Sequence, residues 1–485
     1  MSKRVFVALT AVLLDGLASA TGAQTAAGGP PSTGDRYSCG LTNSKLALAA
    51  CTRVIKDKGT PLDIRAIALR NRGLQLQLAG DLDGAIADYS LALKLGSPSP
   101  LVAAKTYVNR GLAFDRKGKD DLALLDYGKA VSLSPTLTTA YLNRAAVWIK
   151  RGADAEAIAD LGEVVKFKPR DAAVFASRGA LYAHARDEDR AIADESVAIA
   201  LDPKNAVAWE TRSAAYRAKG DLPKAQADAA RAIALDPQSA LAHQDMGLSL
   251  QAAGATESAI AEFGRAVRLD PSDADTIKAR ADSYLAQGDR DRAIADYSQA
   301  LALDPKMTSA FNNRGVAYLE RADNDKAISD FSAVIALDST EAPAWLNRGE
   351  ARQRNGDAKG AMADFDRAIA LAPASPEALR QRAFLRQAAD QNAPAISDYT
   401  ALLSLLPKDA DAYRGRGFAE LAMRRWDVAV SDFSMAITLN PRDALAYRFR
   451  SRAYAAKHDL ARATSDDNAA MRLTENLPEA SKSKP

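Results

Sequence analysis

Small and bulky apolar residues recur along this chain with a period of 34 residues. From Gly111 as far as Ser451, every 34th residue is Gly, Ala or Ser. Twelve residues after each of these small residues, and after the earlier Gly73, stands an alanine: Ala85, Ala123, Ala157, Ala191, Ala225, Ala259, Ala293, Ala327, Ala361, Ala395, Ala429 and Ala463. A fixed period of this length indicates a repeat architecture in which each repeat is one supersecondary unit.

We number each repeat so that its first small residue is position 8 and the alanine is position 20. Repeats 1 to 12 then occupy residues 66–477, with starts near 66, 104, 138, 172, 206, 240, 274, 308, 342, 376, 410 and 444. Bulky side chains prevail at positions 4 and 24, as in Trp345 and Phe365. Small residues allow two antiparallel helices to approach closely, and large rings fill the space around them. Each repeat is therefore predicted to be a helix–turn–helix.

Residues at the predicted helix ends agree with this assignment. Glycine often stands at position 15, where a left-handed residue ends a helix: Gly80, Gly118, Gly152, Gly220, Gly254, Gly288 and Gly356. Aspartate often follows and can cap the second helix: Asp81, Asp221, Asp289 and Asp357. Proline at position 32 stops that helix in nine repeats, as at Pro373.

The pattern resembles the tetratricopeptide repeat family. Residues from Trp345 to Pro373 match most of the family's signature of aromatic, Leu, Gly, Tyr, Ala, Phe and Pro, with Arg348 in place of the Leu. The resemblance implies an all-α fold, an α-solenoid in which about twelve stacked repeats form a right-handed superhelix. It also implies a concave groove, lined by the first helices, that binds a peptide or protein segment.

The N-terminal residues are predicted to be an export signal followed by a cap. Lys3 and Arg4 precede an apolar stretch and a small-residue cleavage site, so residues 1–23 are interpreted as a signal peptide. The alternative is a frayed amphipathic helix. Residues 24–38 are predicted to be a flexible linker, and residues 39–65 a capping half-repeat. The expected location is the periplasm or the exterior of the cell, and residues 478–485 are predicted to be a disordered tail.

Two cysteines fall within the predicted cap. In an oxidising compartment Cys39 and Cys51 are expected to form a structural disulfide, which would stabilise the fold by ~2–3 kcal/mol. The alternative is two unrelated buried thiols.

Composition argues against several other functions. The 64 Lys and Arg nearly balance the 61 Asp and Glu, which argues against a nucleic-acid binder. Three histidines and two cysteines argue against a metal site built from His and Cys, and no long apolar run predicts a membrane span. No catalytic motif occurs. We therefore expect a non-enzymatic scaffold with no catalytic residue, no cofactor and no metal.

Charged residues recur at two inward positions. Position 7 is Arg in eleven of the twelve repeats and position 23 is always acidic, so a repeated structural ion pair is predicted. The exception is repeat 6, where Met246 leaves Glu262 without its own arginine.

Position 5 faces the groove in the family that this chain resembles. Here Arg380, Arg414 and Arg448 form a ladder at this position, 34 residues apart. Such a row of guanidinium groups suits acidic peptides, phosphates or anionic glycans. An alternative function is therefore binding of an anionic cell-envelope polymer during its assembly or export. The plainer interpretation is a solvated face without a ligand.

Three successive repeats lack the aromatic residue at position 24. Leu161, Glu195 and Ala229 stand there instead. Because the stability of a repeat depends on its neighbours, this segment is predicted to be softer than the rest. The alternative is an ordinary repacking of the same space.

Export can be tested directly. If residues 1–23 are removed as a signal peptide, protein isolated from cells should begin near Thr21 or Gln24. N-terminal sequencing of that protein distinguishes the two cases, and a full-length cytoplasmic product would contradict export.

Overall fold

The computed structural model describes residues 39–40 and 45–475, which form helices and, within these ranges, no strand. The predicted signal peptide (1–23), linker (24–38) and tail (478–485) lie outside the described residues. None of the helices in the described part of the chain is both long and apolar enough to cross a membrane.

The described helices are numbered α1 to α25 in chain order. They are α1 Lys45–Lys56, α2 Leu62–Leu78, α3 Leu82–Leu95, α4 Pro100–Arg116, α5 Asp120–Leu133, α6 Thr138–Lys150, α7 Asp154–Phe167, α8 Ala172–His184, α9 Glu188–Leu201, α10 Ala206–Ala218, α11 Leu222–Leu235, α12 Ala240–Ala252, α13 Thr256–Leu269, α14 Ala274–Ala286, α15 Arg290–Leu303, α16 Thr308–Glu320, α17 Asn324–Leu337, α18 Ala342–Arg354, α19 Ala358–Leu371, α20 Pro376–Ala388, α21 Asn392–Leu405, α22 Ala410–Ala422, α23 Trp426–Leu439, α24 Ala444–Ala456 and α25 Leu460–Glu475.

The helices after α1 form twelve antiparallel pairs, one for each predicted repeat, so the all-α solenoid prediction is confirmed. They belong to two compact units, an N-terminal unit that ends at Asp270 and a C-terminal unit that begins at Pro271. Within each unit, every helix packs on its chain neighbours. First helices of successive repeats also contact each other, as α8 contacts α10 and α20 contacts α22.

Close approach within a pair depends on the small residue at position 8. A Cβ atom at Gly349 would lie 2.6 Å from the Phe365 ring, and one at Gly73 would lie 2.7 Å from the Tyr89 ring. The rings at position 24 are fully buried in this contact. The predicted pairing of small and large residues is therefore confirmed. Where position 8 is glycine its cause is steric, because a side chain there would displace the ring.

The helix ends carry the predicted capping residues. All seven glycines at position 15 adopt positive φ, and Asp81, Asp221, Asp289 and Asp357 each accept a backbone N–H at the start of a second helix. Second helices end two residues before the position-32 proline, as α19 ends at Leu371 before Pro373. Five repeats place a residue with a side chain in the left-handed conformation: Arg186, Ala322, Asp390, Arg424 and His458.

The predicted ion pair joins positions 7 and 23 in all eleven repeats that have the arginine. Each guanidinium donates from Nε and Nη2 to the two carboxylate oxygens, at 2.6–3.0 Å. In repeat 9 the side chains of Arg348 and Asp364 are only 12% and 2% exposed. This arrangement is the bidentate geometry in which charge-assisted hydrogen bonds are strongest.

The same arginines also connect neighbouring repeats. Nη1 of Arg348 donates to Ser332 Oγ, at position 25 of the preceding repeat, over 3.1 Å. Equivalent bonds to a Ser or Thr hydroxyl are made by Arg72, Arg110, Arg212, Arg314, Arg416 and Arg450. One side chain therefore holds together three helices from two repeats.

Repeat 6 replaces its missing arginine with other donors. His243 Nδ1 lies 2.7 Å from Glu262 Oε2, and Arg265 contacts the other oxygen of the same carboxylate. His243 is buried at the aromatic position 4. The irregularity predicted at Met246 is thus compensated within the repeat.

The predicted cap is helical and packs on repeat 1. Helix α1 buries Ala47, Cys51 and Val54, and it contacts α2. The Sγ atoms of Cys39 and Cys51 lie 2.07 Å apart, so these residues are placed to form a disulfide.

Repeat 8 offers a test of the backbone conformation at position 15. Ala322 has a φ of 60° and is exposed, so Ala322→Gly should raise the free energy of unfolding by about 1 kcal/mol through relief of the left-handed strain. Urea denaturation of the whole chain measures the change. The control Ala333→Gly lies inside α17, where glycine should lower stability by about 1 kcal/mol. Equal effects of the two substitutions would contradict this account.

Candidate functional site

The structure places the predicted arginine ladder on three first helices of the C-terminal unit, and two of its members are ion-paired. Arg380 on α20 donates from Nη2 to Asp409 Oδ2 over 2.7 Å. Arg414 on α22 donates to Asp443 Oδ2 over 2.5 Å and lies 2.7 Å from Asp411. The charges of these two guanidinium groups are therefore already paired with carboxylates.

Their carboxylate partners also begin the next first helix. Asp409 Oδ1 accepts the backbone N–H of Ala412, and Asp443 Oδ1 accepts that of Ala446. Burial by itself would raise the pKa of Asp409, but the hydrogen bonds from Arg380 and from backbone N–H groups outweigh it and lower that pKa. Each pair thus links the start of one first helix to the middle of the preceding one.

The third member of the ladder differs. Arg448 on α24 is exposed, and its guanidinium has no carboxylate partner within the described part of the chain. Arg386, which lies near the ladder in sequence, instead donates to the position-23 carboxylate of Asp398 over 2.8 Å. Ligand binding at Arg380, Arg414 and Arg448 stays a prediction.

A pocket of about 670 Å³ lies beside Arg380 and Arg414. Three phenylalanines from consecutive first helices contribute its apolar lining: Phe384 on α20, Phe418 on α22 and Phe449 on α24. Phe384 is 56% exposed, which is high for a large apolar side chain. The rings of Phe418 and Phe449 meet edge to face with their centroids 5.0 Å apart.

One wall of the pocket is held by a chain of hydrogen bonds. Tyr399 Oη donates to Gln387 Oε1 over 3.1 Å, and Gln387 Nε2 donates to the carbonyl of Gly415 over 3.0 Å. Burial raises the pKa of Tyr399 to about 12, so its hydroxyl keeps its proton at neutral pH. A Cβ atom at Gly415 would lie 2.4 Å from the Tyr399 ring, so the wall requires glycine at that position.

The pocket also contains an unused acceptor. Gln353 on α18 lines it, and Gln353 Oε1 is buried without a hydrogen-bond partner in the described structure. Buried polar atoms in native proteins nearly always have a partner. The pocket therefore offers an apolar surface, guanidinium donors and an acceptor that a bound N–H group could satisfy.

The aromatic part of this site was not predicted from the sequence. Phe384 and Phe418 stand at position 9 and Phe449 at position 6, whereas position 6 is Asn in repeats 8 and 9. The available signal was this change of residue type at groove positions of the last three repeats.

In the N-terminal unit, the apolar residues at position 5 of repeats 2 to 4 do not form an exposed groove surface. Val108, Leu142 and Ala176 are buried and belong to the hydrophobic core. The next helices cover them, so the apolar character of position 5 in repeats 2 to 4 reflects packing.

Comparison with known proteins gives one family. The model described as tetratricopeptide repeat matches residues 278–342 and 317–376, and a second model of that description matches residues 104–137. Tetratricopeptide repeat protein 36 of Xenopus tropicalis is 38% identical over 69 residues, which are 14% of this chain and 34% of that protein. The chain thus matches about a third of this relative's length.

Solved structures with similar folds have low overall similarity. YrrB, described as a TPR protein with an unusual peptide-binding site, is 22% identical with a TM-score of 0.36, over 38% of this chain and 96% of YrrB. A tetratricopeptide repeat protein from Parabacteroides merdae is 19% identical with a TM-score of 0.41, over 52% of this chain and 98% of that one.

The wall of the pocket can be tested by adding one methyl group. Gly415→Ala should displace Tyr399 and lower the free energy of unfolding by about 1–3 kcal/mol. The matched control is Gly128→Ala in α5, where the nearest atom to a new Cβ is 3.8 Å away. That substitution should raise stability by up to about 1 kcal/mol, because alanine favours a helix. Urea denaturation measures both, and stabilisation by Gly415→Ala would contradict the proposed steric role of this glycine.

Proposed function

We propose that this chain, a tetratricopeptide-repeat protein and a protein-interaction scaffold, binds an extended segment of a partner protein at the first-helix surface of its C-terminal unit. The bound segment inserts a large apolar side chain into the pocket lined by Phe384, Phe418 and Phe449. The single observation that carries this proposal is the pocket itself, in which an exposed aromatic ring stands next to guanidinium groups.

The chemistry of the lining supports a peptide more than a polyanion. Interface hot spots combine aromatic side chains and arginines in a desolvated pocket. Two of the three ladder arginines already share their charge with Asp409 and Asp443, so little net positive charge remains for a polymer. A peptide backbone needs both donors and acceptors, and Gln353 Oε1 supplies an acceptor that lacks a partner.

Binding of an anionic envelope polymer is retained as a second candidate on one observation. Arg448 is exposed and has no carboxylate partner among the described residues. A polymer that bound there would do so mainly through charge, and salt would weaken its binding steeply.

We further propose that the scaffold acts without catalysis and after export, in the periplasm or outside the cell. The signal-like sequence of residues 1–23 and the placement of Cys39 against Cys51 support an oxidising location.

Peptide selection tests the pocket. Random peptides displayed on phage and selected on the purified chain should become enriched in aromatic or large aliphatic residues. Phe384→Ala should lower the affinity for a selected peptide at least about tenfold, because a buried anchor contact is lost. Fluorescence polarisation measures the affinity.

The control for this experiment is Leu460→Ala, which removes another exposed large apolar side chain, from α25, outside the pocket. It should leave the affinity unchanged. A dextran sulfate probe tests the alternative. If the polymer binds at Arg448, Arg448→Glu should weaken the binding of dextran sulfate without changing the affinity for the peptide. Equal effects of Phe384→Ala and Leu460→Ala on peptide affinity would contradict the proposed pocket.

A further inference from the structure

A glutamate lies fully buried in the middle of the N-terminal unit without a partner. Glu195, on α9, is 0% exposed. Neither of its carboxylate oxygens has a hydrogen-bond partner in the described structure. Burying an unpaired ionised carboxylate is so costly that such a group takes up a proton instead.

Glu195 occupies a space that other repeats fill with a ring. It stands at position 24, and a Cβ atom at Gly179 on α8 would lie 2.7 Å from Glu195 Oε1. In repeats 9 and 11 the corresponding glycines, Gly349 and Gly417, meet phenylalanine rings in the same way. The carboxyl group therefore packs as a substitute for an apolar side chain, which only its neutral form can do.

The arginines on the two neighbouring helices are engaged by other carboxylates and form no hydrogen bond with Glu195 in the described structure. On α8, Arg178 is bound by both oxygens of Asp194, the residue that precedes Glu195. On α10, Arg212 donates to Asp228 and to Ser196.

The other polar groups of α10 near this position give no compensation either. Glu210 is buried and accepts a hydrogen bond from Ser239. Thr211 stands at position 6, which contacts the position-24 side chain of the preceding repeat in the case of Gly415 and Tyr399. Thr211 Oγ1 is also buried without a partner. The space between α9 and α10 thus contains unsatisfied polar atoms on both sides.

We propose that Glu195 is a pH-dependent point of loosening in the solenoid, packed between α8 and α10 while its carboxyl carries a proton and released to water when the carboxyl ionises. On the C-terminal side, repeat 5 favours a local opening, because Ala229 stands at position 24 where most repeats have an aromatic ring. On the N-terminal side, Leu161 of repeat 3 is buried in a hydrophobic cluster and gives no such support.

The direction of the pH effect follows from the burial. Burial raises the pKa of the Glu195 carboxyl well above its usual value of 4.5, and the nearby Asp194 adds to the effect, while Arg212 opposes it. A group whose pKa is raised in the folded state contributes its stability in full below its unfolded pKa, and this contribution is lost as the pH rises through the folded pKa. Segment α8–α10 should therefore loosen from about pH 4.5 upward until the folded carboxyl itself has ionised.

Hydrogen exchange of backbone amides, measured by mass spectrometry on the whole chain, tests this proposal. After correction for intrinsic exchange rates, protection of residues 172–218 should fall by up to about tenfold per pH unit above pH 5 in the unmodified protein. Glu195→Gln should abolish that fall. Glu195→Phe, which restores the ring of other repeats, should also abolish the pH-dependent fall in protection. This variant provides the test if Glu195→Gln fails to fold.

The matched control is Glu156→Gln, which removes an exposed glutamate from α7 in the preceding repeat. It should leave the pH dependence intact, and residues 104–133 should not share it in any variant. The proposal is overturned if the unmodified protein and both Glu195 variants lose protection in parallel, or if the loss extends evenly over the N-terminal unit.

Discussion

The bidentate bond between Arg at position 7 and Asp at position 23 is the constraint on which the rest of the solenoid depends. A buried ion pair gives little net stability compared with apolar packing, but breaking one partner leaves an uncompensated charge. Its value here is geometric, since two parallel bonds determine how the two helices of a repeat face each other. In seven of the eleven repeats with this arginine, the third nitrogen of the guanidinium reaches a hydroxyl of the previous repeat or of the cap, so the arrangement within a repeat also orients its neighbour.

The ion pair fixes the two helices of a repeat, so their apolar side chains can pack in only a few ways. A glycine at position 8 receives a ring from position 24 in close contact. Repeats 7 and 10 keep a buried tyrosine beside an alanine at position 8, Ala281 or Ala383. In repeat 5 both positions differ, since Ser213 stands at position 8 and Ala229 at position 24, and Ser213 Oγ donates to a backbone carbonyl of the second helix. Repeat 4 keeps the glycine but loses the ring, and a buried carboxyl results.

The candidate site arises where the last repeats depart from the pattern on their first helices. Arginines at position 5 are tied to the caps of the following helices, which holds the helices in register and leaves their guanidinium edges beside the pocket. Phe384 at position 9 of repeat 10 is exposed, whereas Phe418 and Phe449 are half-buried and pack against the core around Phe433. The proposed function thus assigns a binding role to arginines that already have a structural one.

The sequence by itself determined the repeat, the helix ends, the ion pair and the contact of small with large residues. These features depend on residues that recur at fixed spacing within one helix pair, so local chemistry suffices to predict them. Only the tertiary structure decided which side chains are exposed between repeats. It showed that Arg380 and Arg414 are paired with the next cap, that Val108 and Leu142 belong to the core, and that Phe384 is exposed. Exposure at such positions depends on how closely each repeat packs on the previous one. That packing results from many contacts together, and no single position in the repeat encodes it.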